Sequence, residues 1–137
     1  MDAFDADVLI NAAVPGHPLG RRVLALLGDA SEPPAGVGAT LLLPELLAKP
    51  LRDGAERELR ALSAILARLE LLPLDEATAE LAVALGAAHR LGAPDAVHLA
   101  TAVSAGAARF HTNNRRDFSK DIGEIAITHP DELPDTA

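Results

Sequence analysis

No cysteine, tryptophan or tyrosine occurs in the 137 residues, and phenylalanine appears only three times. Without thiols, disulfides and thiolate metal sites are excluded. With aromatics at 2%, stacking bases on aromatic platforms is a poor way to hold nucleic acid. The core must instead be built from Leu, Val, Ile and Ala. No apolar stretch approaches the roughly 20 residues of a membrane span, and no basic segment precedes an apolar one at the start. A soluble cytoplasmic protein with no membrane association is expected. Positive charge is also scarce, with 12 Lys and Arg against 20 Asp and Glu, a net charge of −8. That balance opposes broad, sequence-blind attraction to nucleic acid. It leaves room for local basic patches, from Arg21, Arg22, Lys49, Arg52, Arg57 and Arg60 or from Arg115, Arg116 and Lys120. The ordinary reading of each is a solvated helix face. There is no Walker-type phosphate loop, and Gly36 and Gly38 lack the third glycine of a dinucleotide fingerprint.

Hydrophobic spacing predicts the elements. Residues 3–5 read as a strand running into a helical turn over 7–12, and 19–27 as a helix ending near Gly28. Residues 35–39 are small and suit a second strand. A helix is expected over 41–51, with Thr40 as its cap and Pro44 in its first turn, where a missing N–H is tolerated. Over 56–69, Leu59, Leu62, Ile65, Leu66 and Leu69 fall on one stripe of an amphipathic helix. Strands are expected at 70–74, 109–112 and 125–128. Helices are expected at 77–91, stopped by Gly92, and at 94–104, between Pro94 and Gly106. This alternation predicts an α/β fold in three layers, a mostly parallel central sheet of four to five strands flanked by helices. The length fits one domain over 1–137, with a frayed tail from about 132.

Four acidic residues stand in four separate patches: Asp5 in Phe4-Asp5-Ala6-Asp7-Val8-Leu9-Ile10, Glu45 in Leu42-Leu43-Pro44-Glu45-Leu46-Leu47, Asp95 in Pro94-Asp95-Ala96-Val97-His98, and Asp117 at the end of Thr112-Asn113-Asn114-Arg115-Arg116-Asp117. Three of them lie among apolar residues, where an unpaired carboxylate is expensive. A hard divalent cation would remove that cost. In an open α/β sheet, functional groups gather beyond the carboxyl ends of the strands, and these positions can converge there. Each acid also has a bland reading. Asp5 and Asp7 can cap the helix that follows the first strand. Asp95 can serve a helix macrodipole. Glu45 can be an exposed helix residue, and Asp117 a turn residue. His98, one turn after Asp95, reads as a semi-buried helix histidine. The remaining histidines show no metal-ligand spacing, which speaks against zinc.

Taken in order, the motifs resemble the PIN domain family, and within it the toxin ribonucleases of VapBC-type toxin–antitoxin modules. The resemblance runs from Phe4 to about Asp131. Its most specific pieces are Asp95-Ala96-Val97-His98-Leu99-Ala100-Thr101-Ala102 and Thr112 through Phe118. It implies a Mg²⁺- or Mn²⁺-dependent endoribonuclease with Asp5, Glu45 and Asp95 as metal ligands. The family often has a fourth acid where this chain has Asn114, and Asp117 would compensate, directly or through water. Thr112 and Asn114 would orient water or substrate. Asp7 stands where the family often has Ser or Thr, and would add a carboxylate. The implied partners are an RNA substrate, a small antitoxin whose C-terminal segment fills the acidic groove, and a second copy in a homodimer.

Two other readings compete. The fold could serve as a non-catalytic binding module with a weakened site, a reading to which Asn114 lends weight. Alternatively, Phe4-Asp5-Ala6-Asp7-Val8-Leu9 also resembles the opening motif of haloacid-dehalogenase-type phosphatases, in which the first Asp is a nucleophile. That chemistry needs a lysine, and only Lys49 and Lys120 exist.

Overall fold

Neighbouring side chains on one short strand serve opposite faces of a sheet. In β1 (Asp2–Phe4), Ala3 joins one hydrophobic cluster and Phe4 the other. The computed structural model describes residues 1–136; Ala137, the end of the expected tail, lies outside the described residues. Its sheet has the order β3-β2-β1-β4-β5, with every pairing parallel. The other strands are β2 (Gly36–Ala39), β3 (Leu69–Leu72), β4 (Arg109–His111) and β5 (Ala126–Thr128). Six helices connect them: α1 (Ala6–Ala13), α2 (Pro18–Leu27), α3 (Leu42–Asp53), α4 (Glu56–Leu66), α5 (Glu76–His89) and α6 (Ala93–Ser104). Leu9, Val23, Leu42, Leu46, Leu62 and Ile65 from α1 to α4 pack with Phe4. Leu85, Leu99 and Ala100 from α5 and α6 pack with Ala3, Val37 and Phe110 on the opposite side. Both faces of the sheet are covered, as an all-parallel sheet requires. The three-layer expectation stands, with five strands, all paired in parallel, among the described residues.

Some boundaries differ from expectation, for physical reasons. Leu69 opens β3 rather than closing the helix stripe, because α4 ends at Leu66 and the chain turns through Ala67 and Arg68. The stripe continued by chance into a strand whose Leu69 faces the same cluster. Helix α5 stops at Arg90, which takes a left-handed conformation at φ 56°, two residues before Gly92. Thr40 does not cap α3; Leu41 occupies that place with no side-chain cap. Leu133 is buried, and Glu132 in the 3-10 turn Pro130–Glu132 pairs with Lys120 at 2.7 Å. At the α1–α2 crossing only glycine fits at Gly20, since a Cβ there would lie 2.0 Å from the Asn11 carbonyl oxygen.

The start of the sheet is clamped by charge. Parallel register sets Asp2 beside Arg109, whose Nε and Nη2 donate to the two carboxylate oxygens at 3.0 and 2.8 Å. His111 Nε2 lies 3.3 Å from the same carboxylate, and its ring stacks on Phe4 at 5.1 Å. Burial alone would raise the Asp2 carboxyl, but His111 and Arg109 outweigh it and hold it well below the usual carboxylate range. A depressed folded value means that the clamp stabilises the protein above the unfolded value near 3.8 and is lost as pH falls through the folded value. Asp2→Asn should therefore cost about 1–2 kcal/mol at pH 7, allowing for partial screening. Urea titrations should show that difference shrinking below pH 4; a constant difference down to pH 2 would contradict the clamp.

Candidate active site

Strand order places a switch point between β1 and β4, where the chain leaves the sheet centre first in one direction and later in the other. Crevices at the carboxyl end of such a point are where α/β sheets bind ligands. Asp5 follows β1 there, and Thr112 to Asn114 follow β4. Asp5 is 6% exposed. Its Oδ1 accepts the Ala6 N–H at 2.9 Å, which caps α1, and its Oδ2 accepts the Thr112 hydroxyl at 2.8 Å. Thr112, itself fully buried, accepts the Asn114 N–H at 3.0 Å, so one hydroxyl ties Asp5 to the loop after β4. Asp7, half-buried two residues on, accepts the Asn113 N–H with both oxygens at 3.1 Å.

Asn114 and Asp117 form a closed turn. The Asn114 amide donates to Asp117 Oδ2 at 3.0 Å, and its carbonyl accepts the Asp117 N–H at 3.2 Å. Arg116 Nε adds a contact to Asp117 Oδ1 at 3.3 Å. Phe118 anchors the turn, with its ring 5.0 Å from that of Phe110 in the core. Glu45, in the first turn of α3, stands at the solvent rim, where its Oε1 accepts His98 Nε2 from α6. Asp95 lies in the first turn of α6, half-buried.

Electrostatics bind these acids into one neighbourhood. Burial, and then the charge of Asp95, push the Asp5 carboxyl up against the hydrogen bonds of Thr112 and Ala6 and the pull of His98. Asp7 is pushed up to about 6, first by burial and then by Asp5. Asp95 is raised by burial and by the charges of Asp117, Glu45 and Asp7, with His98 opposing. Asp117 differs, held below the usual range by its bonds to Asn114 and Arg116. Asp95 therefore shares a charge interaction with each of Asp5, Asp7, Glu45 and Asp117. Among the described residues, no Lys or Arg forms an ion pair with Asp5, Asp7, Glu45 or Asp95. Arg115 and Lys120 are drawn to Asp131 and Glu132 instead, and Lys49, Arg52 and Arg60 lie in exposed pairs on α3 and α4.

A set of hard oxygen donors, with the Asp5, Asp7 and Asp95 carboxyls raised and no Lys or Arg paired to these three among the described residues, suits Mg²⁺ or Mn²⁺ by its chemistry. The side chains as they stand are not drawn tight: among the described residues no three of them are set to hold one ion. His98 is what reading the sequence undervalued. It is buried rather than semi-buried, and it bonds Glu45. Its position at i+3 from Asp95 was the only available signal.

The sequence profile of the PIN domain matches residues 3–121. The chain belongs to the PIN domain family. Its fold is similar to those of several solved chains. With a toxin–antitoxin complex from Klebsiella pneumoniae it shares 24% identity over 95% of this chain and 98% of that one, at a TM-score of 0.75. With a DNA-bound VapBC from Salmonella typhimurium the values are 24%, 94%, 97% and 0.72. With VapBC2 from Rickettsia felis, bound to a promoter DNA fragment, they are 18%, 93%, 97% and 0.71. At these identities the likeness is one of fold. No curated protein sequence matches the chain. Among the described residues of this PIN domain, no helix is long and apolar enough to cross a membrane.

Proposed function

We propose that this PIN domain, taken as one unit over 1–137, is a Mg²⁺- or Mn²⁺-dependent endoribonuclease and the toxin of a toxin–antitoxin pair in the cytoplasm. The observation that supports the reading is the mutual charge influence among Asp5, Asp7, Glu45, Asp95 and Asp117, with no Lys or Arg paired to the first four among the described residues. Asp5, Glu45 and Asp95 would hold the ion, with Asn114 and Asp117 contributing from the loop. When bound, the ion supplies charge neutralisation at a phosphate oxygen and a lowered pKa for water. The chain's own part is positioning. Thr112 holds the Asp5 carboxylate, and Asp7 fixes the loop through the Asn113 N–H.

The lysine that a haloacid-dehalogenase-type phosphatase needs is missing from this crevice, because Lys49 pairs with Asp53 and Lys120 with Glu132. A binding module with a weakened site draws support from the loose arrangement of the acids and from Asn114, whose amide is spent on Asp117. For the antitoxin, the apolar groove of Ile10, Val14, Ala61 and Leu62 between α1 and α4 offers a seat. An antitoxin Arg would then complement the acidic crevice. For the homodimer, Leu74 and Val83 (49% and 73% exposed) supply apolar surface on another side.

The test is cleavage of a fluorescent RNA by purified protein with Mn²⁺, with Mg²⁺ and with EDTA, alongside calorimetric titration of Mn²⁺. Cleavage that needs the ion is expected. Folded protein that neither binds Mn²⁺ nor cuts RNA would leave the binding-module reading in its place.

A further inference from the structure

Among the described residues, His98 is the one imidazole bonded to a member of the acidic set, and the proposed function does not use it. Its side chain is 2% exposed, yet it grows from α6 toward the rim, where Glu45 stands 30% exposed on α3. A carboxylate only accepts, so Nε2 carries the hydrogen of this bond. The other nitrogen, Nδ1, is buried without a partner. Burying an imidazole with half its polar atoms unmet costs stability that a leucine at the same place would not. Its neighbours on α6 are apolar core residues, Ala96, Leu99, Ala100 and Ala102. The one hydrogen bond this ring makes among the described residues is the bond to Glu45.

Glu45 needs such a bond. Among the described residues, no group of α3 makes a hydrogen bond or ion pair with its carboxylate. Among the described residues, His98 is the only side chain that bonds it. An acid on a rim with three free torsions would spend most of its time pointing into solvent, away from Asp95 and Asp5. A rigid imidazole from the buried side draws one oxygen inward and leaves Oε2 without a protein partner.

We infer that His98 is a positioning residue that holds the Glu45 carboxylate over the crevice and so sets the affinity of the cluster for a divalent cation. This rests on the metal-dependent reading above. Outer-sphere partners of metal-binding carboxylates are worth roughly 10–100-fold in metal affinity. Calorimetric titration of Mn²⁺ into the full chain is therefore expected to show binding weakened by about that factor in His98→Leu. His98→Gln keeps a donor of similar reach and should recover most of the loss. His98→Asn keeps a polar group too short to reach Glu45, and should behave like His98→Leu even if the leucine variant folds poorly. In a Glu45→Gln background, His98→Leu should weaken Mn²⁺ binding no further, because the two residues act through one bond. Unchanged affinity in His98→Leu and His98→Asn, with only a shifted thermal midpoint, would overturn the inference alone. Equal weakening in both backgrounds would do the same. Failure of the wild-type chain to bind Mn²⁺ would overturn the metal-dependent reading along with it.

Discussion

Asp5→Asn is expected to raise the thermal midpoint of the metal-free protein and to cut metal-dependent RNA cleavage by more than the roughly 100-fold of an outer-sphere change. The two effects share one cause. Asp5 is buried, and its carboxyl is raised by desolvation and by Asp95. A raised folded value means that the folded state binds the proton more tightly than the unfolded one. Stability therefore falls as pH rises from the unfolded value through the folded one, and the cost persists above it. Asp7, raised to about 6 by burial and by Asp5, adds to the same trend between its ordinary value of 3.8 and about 6. Asparagine removes the charge but keeps an oxygen for the Ala6 N–H, so the cap on α1 survives. Melting curves should show the advantage of Asp5→Asn at pH 7.5 and its decline toward pH 4. Added Mn²⁺ should raise the midpoint of wild type and not of the variant, because only a state that binds the ion gains from it. If Asp5 were a helix cap and nothing more, cleavage and the Mn²⁺ response would both be unchanged in Asp5→Asn, and the site assignment would fall.

Arg68→Met is expected to lower stability by about 2–4 kcal/mol, the largest effect away from the crevice. Arg68 is 8% exposed, and its guanidinium donates to three carbonyls: Leu27 at 2.8 Å, Glu32 at 3.0 Å and Pro33 at 2.6 Å. These bonds pin the connection between α2 and β2 against the end of α4. Methionine fills the space of the stem but donates nothing. The Glu32 and Pro33 carbonyls lie in exposed residues and can turn to water, whereas the Leu27 carbonyl, at the buried end of α2, is the one left unmet. That is why the estimate stays below the sum of three charge-assisted bonds. Arg68→Lys should recover little, since one ammonium cannot match three acceptors spread across a fork. A fall in the urea midpoint, together with protease cutting between residues 28 and 35, would bear this out. An unchanged midpoint in Arg68→Met would show that the loop holds itself.

Local pattern was readable wherever it was decided locally. The alternation of strands and helices, the proline-opened α6 and the order of acidic motifs all follow from neighbours within a few residues. The fold class was legible for that reason, and the same motifs named Asp5, Glu45 and Asp95 as the candidates whose roles the Mn²⁺ titration tests. The errors were local as well: the leucine stripe ran on through Leu69 because a helix face and a strand face aimed at one core cannot be told apart by spacing alone.

Bonds between distant residues were not readable. Asp2 meets Arg109 across 107 positions, Arg68 reaches back 41 positions to Leu27, and His98 finds Glu45 across 53. Asn114 read as a missing charge, while its amide in fact closes the turn that holds Asp117. By itself the sequence determined an α/β domain with a mostly parallel sheet, because helix and strand periods are local properties, and its ordered motifs carried the resemblance to the PIN family. Only the tertiary structure decided which carboxylates feel one another, which is held by an imidazole and which are left raised. Desolvation and Coulomb interaction depend on distance and burial, and those exist only once the sheet has brought the strand ends together.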